Sequence, residues 1–113
     1  MKILIVVDMQ NDFIDGSLGT SEALSIVQNV KKKIEEYKSR GDKIVFTRDT
    51  HFDNYLQTNE GKNLPVEHCV RLTHGWEIRK ELDNGLNGVD YIDKYTFGYL
   101  YWQDYFGESW FYI

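Results

Sequence analysis

The chain has 113 residues, of which 42% are apolar and 27% charged, as expected for one folded domain spanning residues 1–113. Its net charge of −5 argues against a nucleic-acid-binding surface, and its longest apolar run is far too short to cross a bilayer. With one cysteine the sequence cannot form an internal disulfide, so we expect a reducing, cytoplasmic location.

The first predicted elements form a strand–helix–strand unit. Residues 2–8 (KILIVVD) and 43–47 (KIVFT) are short apolar runs rich in β-branched residues, typical of parallel strands buried on both faces. Between them a helix should begin at Thr20 or Ser21 and end before Gly41, which suits a positive φ. Its apolar residues recur at steps of four and three: Ala23, Val27, Val30, Ile34 and Tyr37. Such a unit predicts parallel strands with a right-handed crossover.

The rest of the chain is less regular. Residues 48–69 are predicted to form a long loop, a kind of segment that is usually functional. Residues 76–82 predict a short helix and residues 89–93 a third strand. The stretch 94–113 holds ten of the seventeen aromatic residues. The whole pattern predicts an α/β fold: a partial, doubly wound parallel sheet of three to four strands in a Rossmann-like, three-layer arrangement.

Three charged residues stand where the predicted strands end. Asp8 closes the first strand, Asp49 follows the second and Lys94 follows the third. Because the carboxyl ends of parallel strands share one edge, where ligands bind in α/β sheets, we expect these side chains to converge. Charged residues also end strands for no functional reason, but the three together favour a site.

A second pattern indicates a metal centre. Asp49 and His51 are two positions apart, so an extended backbone points both to the same side. His68 could supply a third ligand and Glu60 a fourth. Imidazole with carboxylate suits zinc, iron or manganese. Alternatively, the two histidines only make local hydrogen bonds.

Cys69 is the only thiol of the sequence and lies next to His68. Adjacent residues of an extended chain point to opposite faces, so His68 is badly placed to activate it. We therefore expect Cys69 to be a small buried apolar residue. His74 is expected at the surface.

These residues belong to motifs that resemble a known family. Residues 7–13 (VDMQNDF) are similar to the opening signature of the isochorismatase-like cysteine hydrolases, which include the nicotinamidases. Three further motifs follow in the family's order: TRDTH at 47–51, LPVEHCV at 64–70 and DKYTFG at 93–98. The resemblance covers residues 1–98 and implies a doubly wound α/β fold with a six-stranded parallel sheet.

The resemblance also implies a chemistry, which is hydrolysis of the C–N bond of a small amide by a Cys-Asp-Lys triad. Asp8 would be the base and Lys94 the triad lysine, with Phe13 contacting the substrate. A thiolate would attack the carbonyl, an amine would leave and water would release the acyl group. Family members often form homo-oligomers.

In nicotinamidase-like members a divalent metal lies beside the pocket. By motif, Asp49, His51 and His68 match its ligands, and Glu60 is a looser match. Nicotinamide is the first substrate candidate, with isochorismate, carbamoyl amino acids and ureido compounds still open.

The sequence departs from the family in one respect that concerns activity. The family nucleophile lies in a stretch resembling G-x-C-T-D-x-C-V after a fourth strand, and Cys69 matches a different position. We therefore expect an incomplete domain with a divergent aromatic tail at 99–113 and no activity of its own. The alternatives are a non-catalytic metal- or ligand-binding module, a subunit completed by a partner and, least favoured, a flavodoxin-like binding domain.

Overall fold

A three-stranded parallel sheet is the centre of the fold. The computed structural model describes residues 1–95, so the end of the 93–98 motif and the aromatic tail at 99–113 lie outside the described part. The strands are β1 (Ile3–Val7), β2 (Lys43–Asp49) and β3 (Asp90–Lys94), in the order β1-β2-β3. Both strand pairs are parallel, which confirms the predicted α/β sheet.

The helices are mostly short. They are α1 (Asn11–Ile14), α2 (Ser21–Ser39), α3 (Asn59–Asn63) and α4 (Lys80–Asp83), with a 3₁₀ turn at Tyr55–Gln57. Within residues 1–95, no helix combines the length and the apolar character needed to cross a membrane.

Helix α2 forms where the sequence predicts it. The Thr20 side chain accepts a hydrogen bond from the amide of Ala23 at 3.0 Å and so caps the first turn. After the last turn, Gly41 has a φ of +75°, which favours glycine. The helix packs on β1, β2 and α4. The resulting apolar core consists of Leu4, Val6, Ile14, Val27, Ile34, Tyr37, Ile44, Phe46, Ile78 and Leu82.

The predicted helix at 76–82 is wrong over its first half. Only Lys80–Asp83 is helical, because the preceding residues hydrogen-bond to a distant segment. Ile78 forms an antiparallel bridge with Gln10, and the amide of Arg79 donates to the carbonyl of Met9 at 2.9 Å. An extended backbone at Ile78 satisfies these non-local bonds, and a helix would not.

The predicted loop at 48–69 is also more regular than expected. Its first two residues extend β2 to Asp49, and both the 3₁₀ turn and α3 lie within it. Thr58 caps α3, since its side chain accepts from the amide of Gly61 at 3.0 Å. The segment therefore has a defined path across the carboxyl end of the sheet.

Strand β1 has a strand neighbour on one side only within the described range. Val7, at its carboxyl end, is 55% exposed. An open groove of about 330 Å³ runs between this strand and α2 and is lined mainly by the apolar residues Leu4, Ile5, Val6, Val7, Met9 and Val30. Among residues 1–95, the outer side of β1 is thus an apolar edge without a strand neighbour.

Candidate active site and metal centre

An ion pair joins the ends of the two outer strands. The Lys94 ammonium donates a hydrogen bond to Oδ2 of Asp8, with Nζ and Oδ2 2.8 Å apart. The Lys94 side chain is 7% exposed and that of Asp8 is 23% exposed, so water screens this pair only partly. The structure thus brings together two charges that are 86 residues apart in the sequence.

Thr47 holds the Asp8 carboxylate from the central strand. Its hydroxyl donates to Oδ1 of Asp8 at 2.7 Å and accepts from the Asp8 amide at 3.0 Å. Asp8 has a φ of +52°, in the left-handed region, so the chain turns there instead of continuing β1. The sequence pattern does not predict this role for Thr47, although Thr47 lies near the end of the second predicted strand, as Asp8 lies at the end of the first.

Asp49, His51 and His68 form a cluster suited to a metal ion. One ligand atom from each lies within 4.8 Å of the others. Oδ2 of Asp49 is 3.0 Å from Nε2 of His51 and 3.4 Å from Nε2 of His68. Ligands bound tetrahedrally at zinc-like bond lengths lie about 3.3 Å apart, so these side chains fit a divalent cation with little movement.

The backbone brings His68 to this cluster. His51 follows β2 and forms a parallel bridge with Val70, in which the amide of His51 donates to the carbonyl of Cys69 at 2.9 Å. The Nδ1 atom of His68 lies 2.8 Å from the carbonyl of Val66, which favours a proton on Nδ1. The lone pair of Nε2 is then directed at the cluster, as metal binding requires.

Two further predicted site residues lie beside the cluster. Oε2 of Glu60 is 3.8 Å from Nδ1 of His51, and Nδ1 is not the ring nitrogen that faces Asp49. Glu60 is therefore near the ring nitrogen of His51 that points away from Asp49, and it is not part of the three-residue group. The Phe13 ring packs edge-on against His68, with ring centroids 5.5 Å apart.

One cavity lies between the ion pair and the three candidate metal ligands. Its volume is about 190 Å³, and it is lined by Asp8, Phe13, Leu18, Asp49, Glu60, Leu64, His68 and Lys94. A larger groove of about 790 Å³ between α2 and α4 contains none of these residues. The small cavity is therefore bordered by both residues of the ion pair and by two residues of the Asp49–His51–His68 cluster, Asp49 and His68.

Cys69 is buried and has no exposed surface, as predicted. Its amide donates to Oδ2 of Asp12 at 2.8 Å, and its φ is +49°. Burial, together with the nearby charge of Asp49, raises the pKa of the Cys69 thiol far above its ordinary value. A thiol in this state is a poor nucleophile.

Comparisons of sequence and of structure identify proteins that are similar to this chain. The profile of the isochorismatase domain matches residues 2–104. The nicotinamidase/pyrazinamidase of Mycobacterium tuberculosis is 30% identical over 104 residues, which cover 88% of this chain and 55% of that protein. The crystal structure of Pyrococcus horikoshii pyrazinamidase in complex with zinc is 37% identical, with a TM-score of 0.70, covering 82% of this chain and 51% of that one. N-carbamoylsarcosine amidase from Thermoplasma acidophilum has the same TM-score at 31% identity, covering 83% and 52%.

The chain therefore spans about half the length of the relatives that it matches. The domain match at residues 2–104 includes both residues of the ion pair and all three candidate metal ligands. The chain belongs to the isochorismatase family.

Proposed function

We propose that this chain carries the acid–base pair and the metal ligands of a nicotinamidase-like amide hydrolase, and that it does not hydrolyse amides by itself. The observation that carries the proposal is the cavity of about 190 Å³ that Asp8, Lys94, Asp49 and His68 line together. Acyl transfer from an amide needs a proton acceptor, a nearby positive charge and a means of holding the substrate. The cavity holds candidates for each of these tasks.

In this proposal Asp8 and Lys94 move and stabilise charge. Thr47 and Lys94 hold the two oxygens of the Asp8 carboxylate in place, and this carboxylate would accept the proton of an attacking thiol supplied from outside this chain. The Lys94 ammonium would stabilise a thiolate and the negative charge that develops during attack on the carbonyl. Cys69 is not this thiol, since it is fully buried and its pKa is raised.

Asp49, His51 and His68 would hold a divalent metal, with zinc the first candidate and iron or manganese the alternatives. The donor set and its spacing support this assignment, and a pyrazinamidase relative is described in complex with zinc. When bound, the ion would act as a Lewis acid that can coordinate a nitrogen or oxygen atom of the substrate. Glu60 would orient His51 through its second ring nitrogen.

The proposed substrate is a small amide. Two of the relatives are named nicotinamidase or pyrazinamidase, which makes nicotinamide our first candidate. A third relative is an N-carbamoylsarcosine amidase, so carbamoyl compounds come next. Phe13 borders the cavity beside His68 and could pack against a flat ring.

A non-catalytic module is the second candidate function. It is favoured by the state of Cys69, the single thiol of the chain, which is buried and difficult to ionise. In this version the chain binds a metal or a small ligand, or is a subunit completed by a partner. Both versions predict the same metal centre and no ammonia release by this chain alone. They differ in whether Asp8 and Lys94 take part in amide chemistry.

The experiment measures the metal content of the purified chain and its release of ammonia from nicotinamide. We expect about one divalent ion per chain and no ammonia. Asp49→Ala and His51→Ala should lose the ion, whereas the exposed His74→Ala should keep it. Wild-type protein without metal would refute the metal centre. Ammonia release that Asp8→Asn abolishes would refute the proposed inactivity.

A further inference from the structure

The buried amide of Gln10 occupies an unusual place between the ion pair and the metal cluster. Gln10 is fully buried, at 0% exposure, and lies two residues after Asp8. We propose that Gln10 is a positioning residue of the metal centre that holds the backbone of Asp49, and through it the Asp49 carboxylate, in the geometry that binds the ion. This inference rests on the proposed metal site.

The side chain of Gln10 pairs with the main chain of Asp49 in both directions. Its Oε1 accepts from the Asp49 amide at 2.8 Å, and its Nε2 donates to the Asp49 carbonyl at 2.9 Å. The second Nε2 hydrogen goes to the carbonyl of Trp76 at 2.7 Å. Both amide donors of Gln10 are therefore used, and the side chain has one well-defined orientation.

This pairing replaces a backbone ladder that β1 cannot supply. Regular pairing of β1 with β2 ends at Val7 opposite Thr47, because the chain turns at Asp8. Two residues further along β2, the main chain of Asp49 would therefore have no hydrogen-bond partner from β1. The Gln10 amide satisfies the Asp49 backbone at that point, which a buried peptide group requires.

The consequence is that Asp49 is held on both sides. On one side it lies opposite Lys94 in β3, and on the other it is bound by Gln10. With its backbone held, the Asp49 carboxylate stays 3.0 Å from Nε2 of His51 and 3.4 Å from that of His68. Groups that orient metal ligands in this way commonly change metal affinity when they are removed.

Neighbouring Asn11 provides a matched control. It is also buried, at 4% exposure, and its Nδ2 donates to the carbonyl of His74 at 2.8 Å. That bond fixes the loop before Ile78 without touching Asp49, His51 or His68. If Gln10 had only a structural role, the Gln10 and Asn11 variants should therefore lose metal affinity to the same extent.

The test compares Gln10→Met and Asn11→Leu with the wild-type chain. Each is titrated with Co²⁺, followed by visible absorption, and with Zn²⁺ against a chromogenic chelator, while urea unfolding of the metal-free proteins reports stability. We expect both variants to be destabilised. Gln10→Met should bind both ions about 10- to 100-fold more weakly, and Asn11→Leu should stay within about threefold of wild type. If Gln10→Met does not fold, Gln10→Asn, whose shorter amide cannot reach both Asp49 groups and Trp76, should show the same loss of affinity.

The outcomes separate this inference from the proposed function. If wild type binds Co²⁺ and Zn²⁺ and the Gln10 variant binds them equally well, the positioning role is refuted and the metal centre stands. Equal losses of affinity in the Gln10 and Asn11 variants would also refute it, because stability alone would then explain the effect. A wild-type chain that binds neither ion refutes both.

Discussion

Thr47 and Asp8 exchange hydrogen bonds in both directions across the carboxyl ends of β1 and β2. The hydroxyl donates to the carboxylate at 2.7 Å and accepts from the amide at 3.0 Å, and Thr47 itself is 1% exposed. A side chain of the same shape without the hydroxyl would leave Oδ1 of Asp8 without this donor, whereas the Asp8 amide would keep its bond to the Thr47 carbonyl at 3.2 Å.

Thr47→Val should lower the free energy of unfolding by about 1–2 kcal/mol, the usual cost of removing the hydrogen-bond donor of one partly buried polar group, here Oδ1 of Asp8. Urea denaturation at neutral pH measures this change. Thr47→Ser keeps the hydroxyl and loses only a methyl group, so it should retain the Asp8 contacts and lose less stability. If the serine variant loses more than the valine variant, the hydroxyl is not the stabilising group.

Lys94→Met should destabilise the chain by about 2 kcal/mol, because it leaves the Asp8 carboxylate without its ammonium partner. The cost stays below that of a completely buried pair, since Asp8 is 23% exposed. Lys33→Met is the matched control: its pair with Glu36 is about half exposed and should contribute less than about 0.5 kcal/mol.

A double-mutant cycle tests whether Asp8 and Lys94 are energetically coupled. Asp8→Asn should lower the free energy of unfolding less in the Lys94→Met background than in wild type. Additive losses would contradict a coupled pair.

Zinc should stabilise the folded chain. At a free concentration about 100 times the dissociation constant, a single site raises the free energy of unfolding by about 2.7 kcal/mol. Thermal or urea unfolding with and without Zn²⁺ measures this, and a chelator should reverse it. His51→Ala should abolish the stabilisation, while His74→Ala, which alters an exposed histidine, should leave it intact. Equal stabilisation of both variants would place the ion elsewhere.

Glu60→Gln should weaken zinc binding by only about threefold. Glu60 is 3.8 Å from Nδ1 of His51 and 37% exposed, which is the position of an orienting group rather than of a ligand. His68→Ala, in contrast, removes a ligand candidate and should weaken binding by about 100-fold or more. Chelator competition measures both variants side by side. Equal losses for the two variants would place Glu60 among the ligands.

The Cys69 thiol should remain protonated in the folded chain at alkaline pH. Burial raises its pKa above the ordinary value of 9.0, so the unfolded chain releases this proton first as the pH rises. Stability relative to Cys69→Ala should thus be constant below about pH 9 and fall above it, by at most about 1.4 kcal/mol per pH unit. Alkylation by iodoacetamide at pH 9 should be slow in the native chain and fast in urea. Rapid native alkylation would show an accessible thiolate.

Local sequence patterns predicted the elements whose contacts are also local or repetitive. The apolar runs gave the three strands to within two residues at each end, and Thr20 gave the start of α2. The parallel arrangement followed from the short strand–helix–strand unit. Because parallel strands end at one edge, the meeting of Asp8 with Lys94 could also be predicted.

The features that the sequence did not predict depend on non-local hydrogen bonds. Ile78 is extended because it pairs with Gln10, although its neighbourhood has a helical pattern. The left-handed turn at Asp8 and its contacts with Thr47 depend on the register of β1 against β2. The predicted homo-oligomer, cytoplasmic location and incomplete domain stay predictions.

In the part of the chain that the structure describes, the side of β1 without a strand neighbour lies next to the candidate site. Val7 ends that strand, and the Asp8 carboxylate follows immediately, bordering the cavity. Any polypeptide that added a strand along this edge would bring its own residues next to Asp8. A new strand at this edge of the sheet would therefore also add side chains to the cavity of the candidate site.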